Sequence, residues 1–197
     1  VIMRTDIGGP GVTPECILTG PSVYDESVNK GELSVVNALH FLDEKQELFQ
    51  NKAVVISFSM VVLFFKLYLP YVRHNLGWIC SWMQDVDMYE ICSYELPFEE
   101  NYTLVEPQYV RQSTELWYGV TLIMDTPDTI IYKICSATKL YPNIGFGLAL
   151  FDLGFEDTEY KCLREDHFKG VGGYWKAAPV SKYFKNVVTN PNFDINN

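Results

Sequence analysis

AVVISFSMVVLFFKLYLPYV, residues 53–72, decides how this chain is read, and it carries one formal charge, Lys66, in twenty positions. It does not alternate apolar with polar side chains, so it is not a half-buried strand. As a helix it is apolar on every side, which demands burial in protein or in lipid. Twenty helical residues reach about 30 Å, the thickness of a bilayer core. Lys66 stands toward one end, where its long stem lets the ammonium reach the headgroups. Tyr68 and Tyr71, then Trp78 and Trp82, have the placing of an interfacial aromatic belt. These five residues are the candidate membrane-interface set. A single transmembrane helix over 53–72 is the leading expectation.

A competing reading keeps the same residues out of lipid. The uninterrupted apolar core, Ala53 to Phe65, has only thirteen residues, and runs of that length commonly belong to a protein core. Val54, Val55, Ile56, Val61 and Val62 are β-branched and favour strands. A strand covered on both faces has this continuous apolar character.

Outward from this run, the fold class expected is α+β. Residues 1–31 read as an irregular segment, because Gly8-Gly9-Pro10-Gly11, Thr13-Pro14 and Gly20-Pro21 punctuate them closely. The chain opens at Val1, and no signal-peptide apolar region occurs in its first thirty residues, the pattern of a processed product. Residues 32–50 read as an amphipathic helix, with Val35, Val36, Leu39, Leu42 and Phe49 on one stripe. Residues 75–197 read as a β-rich domain. Leu116 to Met124 is one strand, Thr126-Pro127-Asp128 a turn, and residues 129–136 the returning strand. Glu159 to Arg164 is a further strand, Gly170 to Gly173 a turn, and residues 189–197 a frayed end. In the run from Ile144 to Leu150, the large residues share one face and Gly145, Gly147 and Ala149 share the other. That bare face suits a ligand or a closely packed neighbour.

Composition narrows the partners. Hydrophobic residues make up 48% of the 197 and charged residues 20%, so a folded chain is expected. The net charge of −10 argues against nucleic acid. Lys182 with Lys185 is as close as the basic residues come to a cluster. The five cysteines, Cys16, Cys80, Cys92, Cys135 and Cys162, include no Cys-x-x-Cys pair, which removes zinc-ribbon and thioredoxin readings. His40, His74 and His167 form no metal-binding pattern. Acids cluster at Asp85 with Asp87, at Asp125 with Asp128, and at Asp152 with Glu156 and Asp157, each where a solvated turn is expected. Gly170 to Gly173 lacks the Lys-Ser/Thr of a phosphate loop. Asn101-Tyr102-Thr103 is a glycosylation acceptor triplet.

No catalytic residue, metal site or cofactor is therefore expected, and an enzyme is not. The leading function is a non-catalytic, single-pass membrane accessory or scaffold subunit of a larger assembly, with other protein subunits and lipid as partners. The alternative is a secreted β-sandwich or β-barrel protein that binds a small apolar ligand or a protein partner. That alternative expects a disulfide, Cys80–Cys92 or Cys135–Cys162. An enzyme would instead bring two titratable groups together in one cleft.

Overall fold

Residues 53–72 form two β-strands that belong to different sheets. The computed structural model describes residues 1–5, 15–25, 33–93, 102–160, 162 and 172–189. Strand β2 (Val55–Ser59) lies between β1 (Ile2–Met3) and β8 (Gly147–Phe151) in a parallel three-stranded sheet. Strand β3 (Val62–Leu67) lies inside a five-stranded antiparallel sheet. The expected transmembrane helix is thus corrected: no helix among the described residues is long and apolar enough to cross a membrane. Both strands are interior strands of their sheets, and every residue from Ile56 to Phe65 except Phe64 is buried, so the sequence loses its alternation. β-branching then favours the extended form over the helix.

Two crossovers build the parallel sheet. From β1 the chain returns through α1 (Val35–Glu44) and the short α2 (Gln46–Phe49) to β2. The Ser34 hydroxyl caps α1 by accepting from the Asn37 N–H at 3.1 Å. From β2 to β8 the crossover is long, because the whole antiparallel sheet is inserted in it. After β3 the insertion runs through β4 (Cys80–Val86), the helix α3 (Met88–Ser93), β5 (Thr103–Val105), β6 (Val110–Glu115) and β7 (Val120–Met124), and the strand order is β4-β3-β7-β6-β5. The chain then returns through α4 (Pro127–Leu140) to β8, and α5 (Ala177–Thr189) follows.

Residues 129–136, expected as a strand, are helical. Pro127 occupies the first turn, where its missing N–H costs nothing. Thr126 donates its N–H to the Thr129 hydroxyl at 2.9 Å. Ile130, Ile134 and Ala137 recur at helical spacing, all buried. The strand expected from Leu116 begins only at Val120, since 116–119 turn. Gly119 is needed there: its φ is +60°, and a Cβ would stand 2.8 Å from Pro70. Residues 159–160 lie in a turn, not a strand. The first thirty residues are not wholly irregular either, because Ile2 and Met3 pair with Val55 and Ile56.

The parallel sheet has two unlike faces. Ile56, Phe58, Leu148 and Leu150 point to a core shared with Leu39 of α1, Ile130 and Ile134 of α4, and Val180 of α5. The opposite face carries Val55, Ser57 and Ser59, in register with Gly147, Ala149 and Phe151. A disulfide, Cys16–Cys80, ties the N-terminal segment to β4. Cys162 is disulfide-bonded and Cys135 is free, so neither expected pairing holds.

Candidate functional site at the carboxyl ends of the parallel strands

All three parallel strands end on the same side of the sheet, and their last residues bring polar groups together. After β1 come Arg4 and Thr5. The Thr5 N–H donates to Ser57 Oγ at 2.9 Å, and its hydroxyl donates to the Ser57 carbonyl at 2.5 Å. After β8 comes Asp152, which accepts from Ser59 Oγ at 2.5 Å. The Arg4 guanidinium stands 5.9 Å from the centre of the Phe151 ring, within cation–π range. Phe151, Ser59 and Ser57 share the sheet face opposite the helices, where both serines are fully buried. Asp152 has a φ of 60°, a left-handed conformation unusual for a non-glycine residue and common at functional sites.

A buried polar chain holds this end of the sheet in place. Asp125 and Lys133, both fully buried, meet at 2.6 Å. Lys133 also donates to the Ser22 carbonyl at 2.9 Å, and Thr129 donates to Asp125 at 3.0 Å. Ser22 in turn accepts the Ser59 N–H at 3.0 Å. The order is therefore Asp125, Lys133, Ser22, Ser59, Asp152. Burial pulls the Lys133 ammonium below the ordinary lysine range, against the attraction of Asp125. Just past the end of β2, the buried Lys176 ammonium donates to the Met60 carbonyl. Burial lowers it to about 8, although Glu156 and Asp125 oppose that shift. Glu156 accepts the N–H groups of Lys176 at 2.7 Å and Ala177 at 3.3 Å, where α5 begins.

Two carboxylates face this region from different sheets. Asp85, on β4, has its carboxyl held above the usual range by burial and, second, by the charge of Asp152. One of its oxygens is buried without a hydrogen-bond partner. Asp152 is exposed.

The residues singled out by sequence fall in several places. Gly147 lies where a Cβ would come within 2.9 Å of Val55 Cγ1, and Ala149 pairs with Ser57 on the face opposite the helices. Gly145 precedes β8 at the opposite end and has open space around it. Lys66, Tyr68, Tyr71, Trp78 and Trp82 are exposed on the antiparallel sheet and its loops, so they mark no bilayer boundary around a helix. Lys66 Nζ bonds the Tyr118 carbonyl at 2.6 Å. Asn101 and His167 lie outside the described residues. His40 is 3.5 Å from Glu44, and His74 is buried with Nδ1 2.7 Å from the Val72 carbonyl. No group of three metal-binding side chains occurs among the described residues. Sequence reasoning missed Arg4, Thr5, Ser59 and Phe151. The available signal was their position just after short apolar runs, which has meaning only once those runs are known to pair in parallel.

No protein-family model matches the chain, and no curated protein does. Solved structures of chitinase-like proteins do match in fold. Human YKL-39, a pseudo-chitinase with retained chitooligosaccharide-binding properties, gives a TM-score of 0.60 at 16% identity, over 86% of this chain and 46% of its own. The immunomodulatory chitinase TsES1 of Trichuris suis gives 0.60 at 12%, over 92% and 48%. The Group IV chitinase of Ostrinia furnacalis, in complex with allosamidin, gives 0.58 at 13%, over 87% and 46%. At these identities the likeness is one of fold. The chain spans just under half the length of these structures. The fold is similar to that of chitinase-like proteins, and with no helix among the described residues able to cross a membrane the expected single-pass membrane accessory subunit is corrected.

Proposed function

We propose that this chain contributes a carbohydrate-binding surface that takes β-linked N-acetylglucosamine oligosaccharides without cleaving them. The carrying observation is the convergence of Phe151, Arg4, Ser59 and Asp152 at the carboxyl ends of β1, β2 and β8. In barrels built from parallel strands and helices, that end is where sites are formed. A sugar needs an aromatic face plus a few fixed donors and acceptors, and this cluster supplies both. The three parallel strands are read as part of a TIM-barrel-like architecture, in keeping with the chitinase-like folds. YKL-39 supports the ligand class, because it binds chitooligosaccharides as a pseudo-chitinase. The Cys16–Cys80 disulfide and the bonded Cys162 fit a secreted protein.

A hydrolase is the second reading, favoured by the electrostatic pairing of Asp85 with Asp152. Glycoside hydrolysis needs two carboxyl groups flanking one bond. Here Asp152 is bonded to Ser59 and one Asp85 oxygen is shut against protein, so binding alone is the preferred reading.

The test is calorimetric titration with chitotetraose, followed by chromatography of the recovered sugar. The proposal expects saturable binding, intact tetramer, and a loss of about tenfold or more in Phe151→Ala, the worth of one ring–sugar contact. Release of shorter oligomers, abolished by Asp152→Asn or Asp85→Asn, establishes the hydrolase instead. Absence of binding in the native chain rejects both.

A further inference from the structure

At the opposite end of the parallel sheet, a cavity of about 230 Å³ opens between α1–α2 and the residues entering β2 and β8. Leu42, Phe49, Val54 and Ile144 make its apolar walls. Gln50, Lys52 and Asn143 stand in its polar lining. No carboxylate among the described residues lines it, although the chain carries a net charge of −10. Lys52 lies 6.0 Å from the centre of the Phe49 ring. No carboxylate among the described residues lies within ion-pair distance of its ammonium. Asn51, between Gln50 and Lys52, has a φ of 62°, a left-handed turn that asparagine tolerates well.

We infer that this cavity is a binding site for a small monocarboxylate with an aliphatic body, seated on Phe49 and Ile144 with its carboxylate at Lys52. The chemistry follows from the lining. Apolar walls reward an apolar body by removing its surface from water. One ammonium and neighbouring amides suit a single anionic head, since a charge-assisted bond is stronger than a neutral one. A cation head would meet Lys52 and be repelled. The volume admits on the order of eight water-sized groups, which limits the ligand to a short chain. Asp43, on α1, is engaged by the Gln46 amide at 2.9 Å. The cavity is remote from Phe151 and Asp152, at the other ends of the same strands, so the two sites stand or fall separately.

Gly145 supplies the decisive variant. It lines the cavity, its backbone is not left-handed, and an added Cβ meets nothing within 4 Å. Gly145→Leu therefore adds bulk at the cavity lining with no clash at Cβ. The experiment is ligand-observed NMR on the full chain with hexanoate, hexanamide and hexylamine as probes, with thermal unfolding of each variant alongside. Hexanoate is expected to bind saturably and on the order of tenfold more tightly than hexylamine, the ratio one charged hydrogen bond supplies. Lys52→Gln removes that preference but keeps hexanamide binding, and Gly145→Leu abolishes all three at an unchanged melting temperature. Equal binding of acid and amine, hexanoate binding that survives Gly145→Leu, or no saturable binding by the native chain overturns the inference. If Gly145→Leu does not fold, the acid–amine comparison and Lys52→Gln decide it.

Discussion

Lys133 and Asp125 show how much a single buried residue controls. Each is removed from water, and their 2.6 Å contact offsets the desolvation that either would suffer alone. One Asp125 oxygen has no partner even so. Lys133→Met leaves a carboxylate buried without its counter-ion and is expected to cost about 3–5 kcal/mol in urea unfolding. Lys133→Met with Asp125→Leu is expected to recover most of that loss, because the pair can be replaced by apolar volume. Lys176 gives a pH signature. Its pKa of about 8 lies below the ordinary 10.5. Below about pH 8 both folded and unfolded chains carry the charge. Between about 8 and 10 the unfolded chain holds a proton that the folded chain has released. Stability therefore rises with pH across that window, by at most about 1.4 kcal/mol per unit. The rise is expected to diminish in Lys176→Met, measured as the difference in urea midpoint from the native chain. None of this was legible beforehand. Sequence shows that Lys133 and Asp125 exist, eight positions apart, but the turn between a strand and a helix brings them together. The acids read as solvated turns are, at Asp125, Glu156 and Asp157, among the most buried polar groups described.

Element boundaries were legible where one periodicity ruled and failed where two were admissible. The stripe from Val35 to Leu42 is helical, and Val35, Leu39 and Leu42 are buried as the spacing names them, while Val36 is only partly buried and the unnamed Ala38 is fully buried. The run after Thr126 was misread because Ile130, Ile131, Tyr132 and Ile134 are strand-forming side chains. The N-terminal Pro127 and the i, i+4, i+7 burial of Ile130, Ile134 and Ala137 outweigh that propensity. For residues 53–72 the apolar length was plain, yet length cannot separate one lipid-covered helix from two protein-covered strands. The serines were the overlooked hint. Ser57 and Ser59 are fully buried because they hold Thr5 and Asp152, a role a lipid-facing helix does not offer. Pairing of β2 with β8 depends on the absent side chain at Gly147. Gly147→Ala puts a Cβ 2.9 Å from Val55 Cγ1 and is expected to cost about 1–3 kcal/mol through overpacking. Adding Val55→Ala should return part of it, a coupling that a double-mutant cycle by chemical unfolding will register.

Across the molecule, one crossover carries an entire sheet. The chain leaves β2, builds the five antiparallel strands, and comes back through α4 to lay β8 against β2. The Cys16–Cys80 bond joins positions 64 residues apart and fastens that inserted sheet to the segment following β1. Closing so long a loop in the unfolded chain is worth about 4 kcal/mol by the chain-entropy argument. Cys16→Ser with Cys80→Ser is expected to lower the melting temperature accordingly in calorimetry. Such long-range geometry, including the convergence of Arg4, Ser59 and Phe151 from three distant stretches, has no local sequence signal. The central claim is that these strand ends form a chitooligosaccharide surface, and amide and aromatic chemical-shift mapping by NMR during a chitotetraose titration tests it most directly. The account predicts saturable shifts concentrated at Arg4, Thr5, Ser59, Phe151 and Asp152, with residues near Gly145 unmoved. Shifts centred elsewhere, or none at saturating sugar, would contradict it.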